Sequence, residues 1–410
     1  MKGVRLKILF VHEVSYSKKP VFEMHEFPEL LSRGGHDVTF FEFDEGRKFW
    51  QRGQSKLSSR VRGRIWPELE ILIERPYQLG IPGIDRLFAV LSSIPRLWWL
   101  VRSQKYDVIV LYAVPTYGLQ TISIAKAYGT PLLFRALDVS HKIRSSVFSP
   151  LIRLVEKFLY RNAGSLSVNN PAMADYCVKL AARDIVPLVH LPPLSLEHFQ
   201  RRTNNVALRE MLGITESDKV MVYMGSFFYF SGLNEALRSF ARHAQTKSDL
   251  KFLLIGGGEQ SSELRELAKT LKIEDKVIFT GFVSYWDLPD YLSLGHVAIN
   301  TLTPSLVANT ALPNKVLQYL ASGLPVVSTR LNGLRSLFSE STRVSWCATS
   351  SEVVDIAQEM LFDDSFLPTK QEALASISSL ERFDYKATLR VFESALLELG
   401  KVSPTFKLKS

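Results

Sequence analysis

Cysteine is almost absent. The 410 residues hold two, Cys177 and Cys347. Two cysteines cannot staple a small secreted scaffold, so disulfide-dense folds are excluded and a reducing cytoplasm is the expected compartment. Long apolar runs are also lacking. The longest stretch free of Asp, Glu, Lys and Arg, 291–314, is interrupted by Gly295, His296, Asn300, Pro304 and Asn309. The next, 108–125, is broken by Pro115 and Gly118. A bilayer span needs about 20 predominantly apolar residues. The expectation is a soluble chain, at most peripheral on the cytoplasmic face of a membrane. The opening apolar run, ILFV, is too short for a signal peptide and reads as a first buried strand.

Acidic residues are missing where basic ones crowd. The net charge of +9 divides into +11 for residues 1–205 (29 Lys/Arg, 18 Asp/Glu) and −2 for residues 206–410 (21 and 23), so the two halves face different partners. Segment 47–66 has seven basic residues, no acidic ones, and Phe49, Trp50 and Trp66 among them. Segment 86–102, RLFAVLSSIPRLWWLVR, is apolar and aromatic with three spaced arginines. Basic residues beside tryptophan suit an anionic membrane surface or an acceptor, with Trp50, Arg52, Arg62 and Arg64 as the candidate groups. The competing reading is a solvated loop followed by a helix whose apolar residues are core. Nucleic acid is not expected as a partner, because no binding signature accompanies the charge.

What is present is a strand–helix alternation used twice. KILFV, DVTFFEF, DVIVLYA, TPLLFRAL and SLSVN read as strands separated by helical patterns, including 22–33, 119–129 and 147–162. A proline-rich connection at 187–205 follows. The pattern then restarts with KVMVYMG, KFLLIG, KVIFTG, HVAINTL and LPVVST. Such alternation implies parallel sheets with crossover helices. The predicted fold class is α/β, two doubly wound Rossmann-like domains with a cleft between them. The first is expected over 1–195 and the second over 206–380, with a helix and tail over 381–410 returning to the first domain.

Chemistry-bearing residues are expected at the carboxyl ends of strands. Gly256, Gly257 and Gly258 follow one strand and precede a helix, and Gly225 and Ser226 end another; each pattern suits an anion-facing loop or an ordinary turn. Phe282 follows a third, where a flat base could lie. The most specific stretch is LPNKVLQYLASGLPVVST, 312–329. Pro313 can open a helix there. Lys315 falls in its first turn, where a cation opposes the dipole unless an anion docks beside it. Gln318 lies three residues on, on the same face.

This stretch resembles the donor-site signature of the group-1 (family 4) glycosyltransferases of the GT-B fold, Pro-x-Lys-x-x-Glu-Tyr-x-Ala-x-Gly-x-Pro-Val-Val. MGSFFYFSGLNEALRSF and LLIGGGEQ fall in the family's order and spacing, and HEFPELLSRGGHDVTFFEF resembles its first helix and second strand. The resemblance implies transfer of a sugar, with retention, from a nucleotide-diphosphate sugar to a lipid-linked or polysaccharide acceptor, without a metal or other cofactor. It places Gly225, Ser226, the glycine triplet, Phe282, Asn314, Lys315 and Gln318 on the donor, and Asp138 with His141 near the reacting sugar. Four positions depart from the pattern. Gln318 stands for the signature Glu, Thr310 for an acid, and Ser226 and Ser231 fall near the usual Arg and Lys. These departures motivate an alternative, a GT-B protein without catalysis acting as a scaffold or partner subunit. A sugar-nucleotide epimerase on the same fold is a third reading, which lacks the carboxylate pair and matching histidine its chemistry needs.

Overall fold

The computed structural model describes residues 4–45, 56–81, 84–143, 147–203, 205–338, 344–363 and 378–401. The chain forms two α/β units, one of residues up to Pro193 together with those from Lys386, the other Leu194–Tyr385.

The first unit holds an eight-stranded sheet. Its strands are β1 (Lys7–Val11), β2 (Asp37–Phe41), β3 (Ser58–Arg62), β4 (Glu70–Glu74), β5 (Val108–Leu111), β6 (Leu132–Ala136), β7 (Ser165–Val168) and β8 (Leu188–Val189). They lie in the order β3-β4-β2-β1-β5-β6-β7-β8. Every pair is parallel except β3 with β4. Central strands such as VIVL are buried along their whole length, as a sheet covered on both faces requires. Helices Asp85–Gln104, Gly118–Tyr128, Ser149–Asn162 and Pro171–Ala181 share one core beneath the sheet, with Leu97, Ile122, Leu159 and Cys177 among its members. Helix Glu23–Arg33 and the C-terminal helix Tyr385–Lys401 cover the other face, where Phe27 stacks on Phe392 with centroids 4.1 Å apart. The His36 ring bonds Glu393 at 2.8 Å. The final helix therefore packs on the first domain.

The second sheet runs β11-β10-β9-β12-β13-β14. Its strands are β9 (Lys219–Met224), β10 (Leu250–Ile255), β11 (Val277–Gly281), β12 (Val297–Asn300), β13 (Val326–Thr329) and β14 (Val344–Cys347), all parallel. Chain order reverses between β9 and β12, and in the first sheet between β1 and β5. Open parallel sheets bind ligands at the carboxyl ends of strands flanking such a reversal.

Three stretches differ from the sequence reading. In the basic segment, Trp50 and Arg52 lie outside the described residues. Residues 47–55 all lie outside the described residues, and the described part, 56–66, is neither loop nor free surface throughout. Ser58–Arg62 is an edge strand, and Arg64 bonds the Ser17 and Lys19 carbonyls. The amides of Arg64, Ile65 and Trp66 all donate to the buried Glu29 carboxylate. Arg62 is exposed. The apolar residues of 86–102 are not all core, since Leu87, Leu91, Ile94, Trp98 and Trp99 face outward. The proline-rich connection contributes β8 and a short helix, Leu196–Phe199.

One buried ion pair ties the first unit together. Arg135, on β6, is fully buried, and its guanidinium grips both oxygens of Glu23 at 2.7 and 2.8 Å. Its remaining N–H groups reach Ser167, the Val168 carbonyl and the His190 carbonyl. With every donor used, Arg135 is a structural link between helix and sheet, not a free cation beside Asp138. Removing one partner strands a charge. Glu23→Ala should cost the first unit about 3–5 kcal/mol, measured as its denaturant midpoint; an unchanged midpoint would show that the pair carries no load.

Candidate functional site

The site in the second unit is built from three strand ends and one helix start. Glycines are required there because backbones touch. A Cβ on Gly256 would lie 2.1 Å from the Gly225 carbonyl oxygen, and one on Gly258 would lie 2.8 Å from the backbone of Phe227. Gly225, Gly256 and Gly258 all have positive φ, from 129° to 156°. Their amides are used internally. Gly225 N–H donates to the Ile255 carbonyl, Gly256 N–H to the Gly281 carbonyl, and Gly258 N–H to the Ser261 hydroxyl. These three amides are therefore not turned toward a ligand and instead knit the ends of β9, β10 and β11; of the glycine triplet, Gly257 keeps the anion-facing expectation. At these strand ends and this helix start, the backbone amides of Ser226, Gly257, Asn314 and Lys315 have no hydrogen bond among the described residues. Exposed Phe282 lies along Gly257, where an added Cβ would approach its ring to 3.2 Å.

Helix Asn314–Ala321 begins one residue after Pro313, which is extended and acts as the N-cap. Two tyrosines fix it. Tyr319 is buried, and its hydroxyl accepts the Met224 N–H at 2.5 Å, clamping the helix to the end of β9. Lys315, one turn earlier on the same face, places its Nζ 3.9 Å from the centroid of the Tyr223 ring and next to Gly225. It has no hydrogen bond or counter-ion among the described residues. The residue keeps some contact with solvent, yet desolvation lowers its pKa from 10.5 to about 7. An ammonium held this way is costly unless an anion shares the space. Half-buried Asn314 and Gln318 likewise leave their side-chain amides without a partner among the described residues. Thr310 bonds back to the Leu306 carbonyl and adds no charge.

In the first unit, Asp138 and His141 follow β6. Asp138 is exposed as a residue, yet desolvation of its carboxyl, with the nearby Glu23 and Glu156 carboxylates, raises its pKa to about 6. His141 is buried, and its Nδ1 bonds Glu156 at 2.8 Å. Glu156 also accepts the Ser140 amide and the Tyr160 hydroxyl. Carboxylate contact at Nδ1 fixes the tautomer and leaves Nε2 as the ring's other polar atom. The sequence reading missed Tyr223, Tyr319 and Glu156, the groups that orient Lys315 and His141. The four-residue spacing of Lys315 and Tyr319 was a readable signal for one of them.

The comparisons agree with this architecture. The family described as "Glycosyl transferases group 1" matches residues 218–362, and the "Glycosyl transferase 4-like domain" matches residues 24–193. The chain belongs to the group 1 glycosyl transferases. It is 25% identical over 307 residues to alpha-monoglucosyldiacylglycerol synthase of Streptococcus pneumoniae, covering 74% of this chain and 60% of that one. It is 26% identical over 159 residues to N-acetyl-alpha-D-glucosaminyl L-malate synthase of Bacillus anthracis, covering 38% and 40%. The chain thus matches between two and three fifths of these relatives' lengths. Among solved structures, Anabaena HepE in complex with UDP-glucose superposes with a TM-score of 0.74 at 17% identity, covering 96% of this chain and all of that one. Sucrose-phosphate synthase from Thermosynechococcus elongatus superposes at 0.78 and 16% identity, covering 97% of this chain and all of that one. The fold of this group 1 transferase is that of these GT-B proteins, two α/β domains with parallel sheets. No helix among its described residues is long and apolar enough to cross a membrane.

Lys315 also sets a stability signature. Its folded pKa lies below its unfolded value, so the charged form costs stability in full below about pH 7, and that cost fades as pH rises toward 10.5. Lys315→Met should therefore raise the melting temperature of the ligand-free transferase, more at about pH 6 than at about pH 9.5. A pH-independent or negative change would contradict the buried-charge reading.

Proposed function

We propose that the protein transfers a sugar, with retention, from a nucleotide-diphosphate sugar to a lipid-linked or glycan acceptor. The observation that carries this is the uncompensated Lys315 ammonium beside Gly225. It sits at a helix start, a few residues from unbonded backbone amides. In glycosyl transfer the nucleotide diphosphate departs as an anion while the sugar becomes cation-like, and fixed donors must meet the departing charge. Lys315 and the amides of Ser226, Asn314 and Lys315 are suited to that diphosphate. Asn314 and Gln318 supply neutral amides for hydroxyl groups, able to donate and to accept. The face of Phe282 offers a surface for the base. Asp138 and His141 serve the acceptor side, His141 with its ring oriented by Glu156. In this reading no metal is required, because Lys315 and the helix start supply the positive potential. HepE, solved with UDP-glucose, and the glucosyldiacylglycerol synthase support the donor and acceptor classes.

Calorimetric titration with uridine and guanosine diphosphates tests the donor half. Affinity should have a distinctive pH dependence. The anion binds the charged lysine, whose free-state pKa is about 7. Above about pH 7.5 a terminal phosphate is fully ionised, so the dissociation constant should climb by up to about tenfold per pH unit. Lys315→Met should weaken binding by about 1–3 kcal/mol and flatten that profile. A wild-type profile already flat over this range would remove Lys315 from the site. Turnover of the matching nucleotide sugar should survive EDTA. Binding without turnover on any lipid or glycan acceptor would favour the partner-subunit reading, in which Gln318 and the serines at 226 and 231 have left a binding site without catalysis.

A further inference from the structure

The outer layer of the first unit carries an apolar surface that the transferase reading does not use. Helices Asp85–Gln104, Gly118–Tyr128 and Ser149–Asn162 cover the same face of the sheet, side by side. Trp98 meets Tyr128 edge-on between the first and second, with centroids 6.5 Å apart. Lys126 bonds Asn162 at 2.9 Å between the second and third. Inward, Ala89, Leu97, Leu100 and Val101 pack on the sheet. Outward, the first helix shows Leu87, Leu91, Ile94 and Trp98, spaced three and four residues apart and 42–66% exposed. That spacing is the apolar stripe of an amphipathic helix, here on the side away from the core. The third helix repeats it with Leu151, Leu154 and Phe158, 43–65% exposed. Monomeric proteins rarely leave such contiguous apolar area to water.

The charges on this face all have one sign. The three helices contain only two acidic residues, Asp85 and Glu156, and both are buried. Their exposed charged residues are Arg102, Lys126, Arg153 and Arg161. Arg102 caps the Trp98 ring at 5.1 Å, so cation and aromatic are presented together, whereas Arg96, 4.8 Å from the Trp99 ring, is paired inward with Glu74. We propose that this three-helix face docks the protein on an anionic lipid surface, with the leucines and Trp98 entering the acyl boundary and the arginines meeting headgroups. A second copy of the chain fits less well, because a two-fold contact would set the basic face against itself. Three helices spread over one sheet also form a broad face rather than a groove, which matches a plane better than a peptide. The inference stands on surface chemistry alone and does not depend on sugar transfer.

The test is co-sedimentation of the full chain with vesicles of phosphatidylcholine alone and of phosphatidylcholine with phosphatidylglycerol. The wild type should pellet with the anionic vesicles and far less with the neutral ones. Leu91→Glu combined with Leu154→Glu, both at exposed positions, should cut partitioning by about tenfold or more while leaving the melting temperature and nucleotide-diphosphate affinity unchanged. Arg153→Glu should weaken binding to anionic vesicles and lessen its salt sensitivity. Absence of wild-type binding to anionic vesicles would overturn the proposal. So would equal binding of the double-glutamate variant, or a concentration-dependent dimer that this variant abolishes.

Discussion

Everything in the second unit's site follows from one unbalanced charge. The Lys315 ammonium sits over the Tyr223 ring with no carboxylate among the described residues to meet it, and desolvation has lowered its pKa to about 7. Such a group is normally eliminated or paired, since burying a lone cation costs stability. It persists here because the structure over-determines its position. The Tyr319 hydroxyl bonds the end of β9, which fixes the helix, and the helix aims the lysine. The glycines at 225, 256 and 258 let neighbouring backbones close up around the same point. The result is a preorganised positive centre whose natural complement is a polyanion.

The first unit is organised by the opposite device. Arg135 is fully buried, yet every one of its donors is satisfied, most of all by Glu23. It therefore holds helix to sheet and offers nothing to a ligand. Asp138, three residues on, is exposed and carries a raised pKa, and His141 is held by Glu156. Residues close together between 135 and 141 thus differ in whether their polar groups are fully bonded, and only their hydrogen-bond partners separate them.

Much of the architecture was legible in the sequence. Strands such as KILFV and VIVL in the first sheet read as unbroken apolar runs, and KVMVYM and KFLLI in the second are apolar runs closed by Gly225 and Gly256, so run length and turn residues located both sheets. Ser58–Arg62 was missed because an edge strand carries charge where a central one carries valine. The outward stripe on helix Asp85–Gln104 was ambiguous for a different reason. Periodicity locates Leu87, Leu91 and Ile94 on one face of the helix, but it cannot say whether that face meets the sheet or the solvent. At the site, Lys315 and Gln318 could be found from spacing, and the loop glycines from their positions. The sequence could not show that those glycine amides are already bonded, since only the register of three strand ends decides it.

The most direct test of the account is the ionisation of Lys315 itself, followed by NMR of its side-chain ε-carbon in the free and the uridine diphosphate-bound protein. The account predicts a free-state pKa near 7 that rises by at least about two units once the diphosphate supplies the missing counter-charge. A free-state value at the ordinary 10.5, unmoved by the nucleotide, would contradict it.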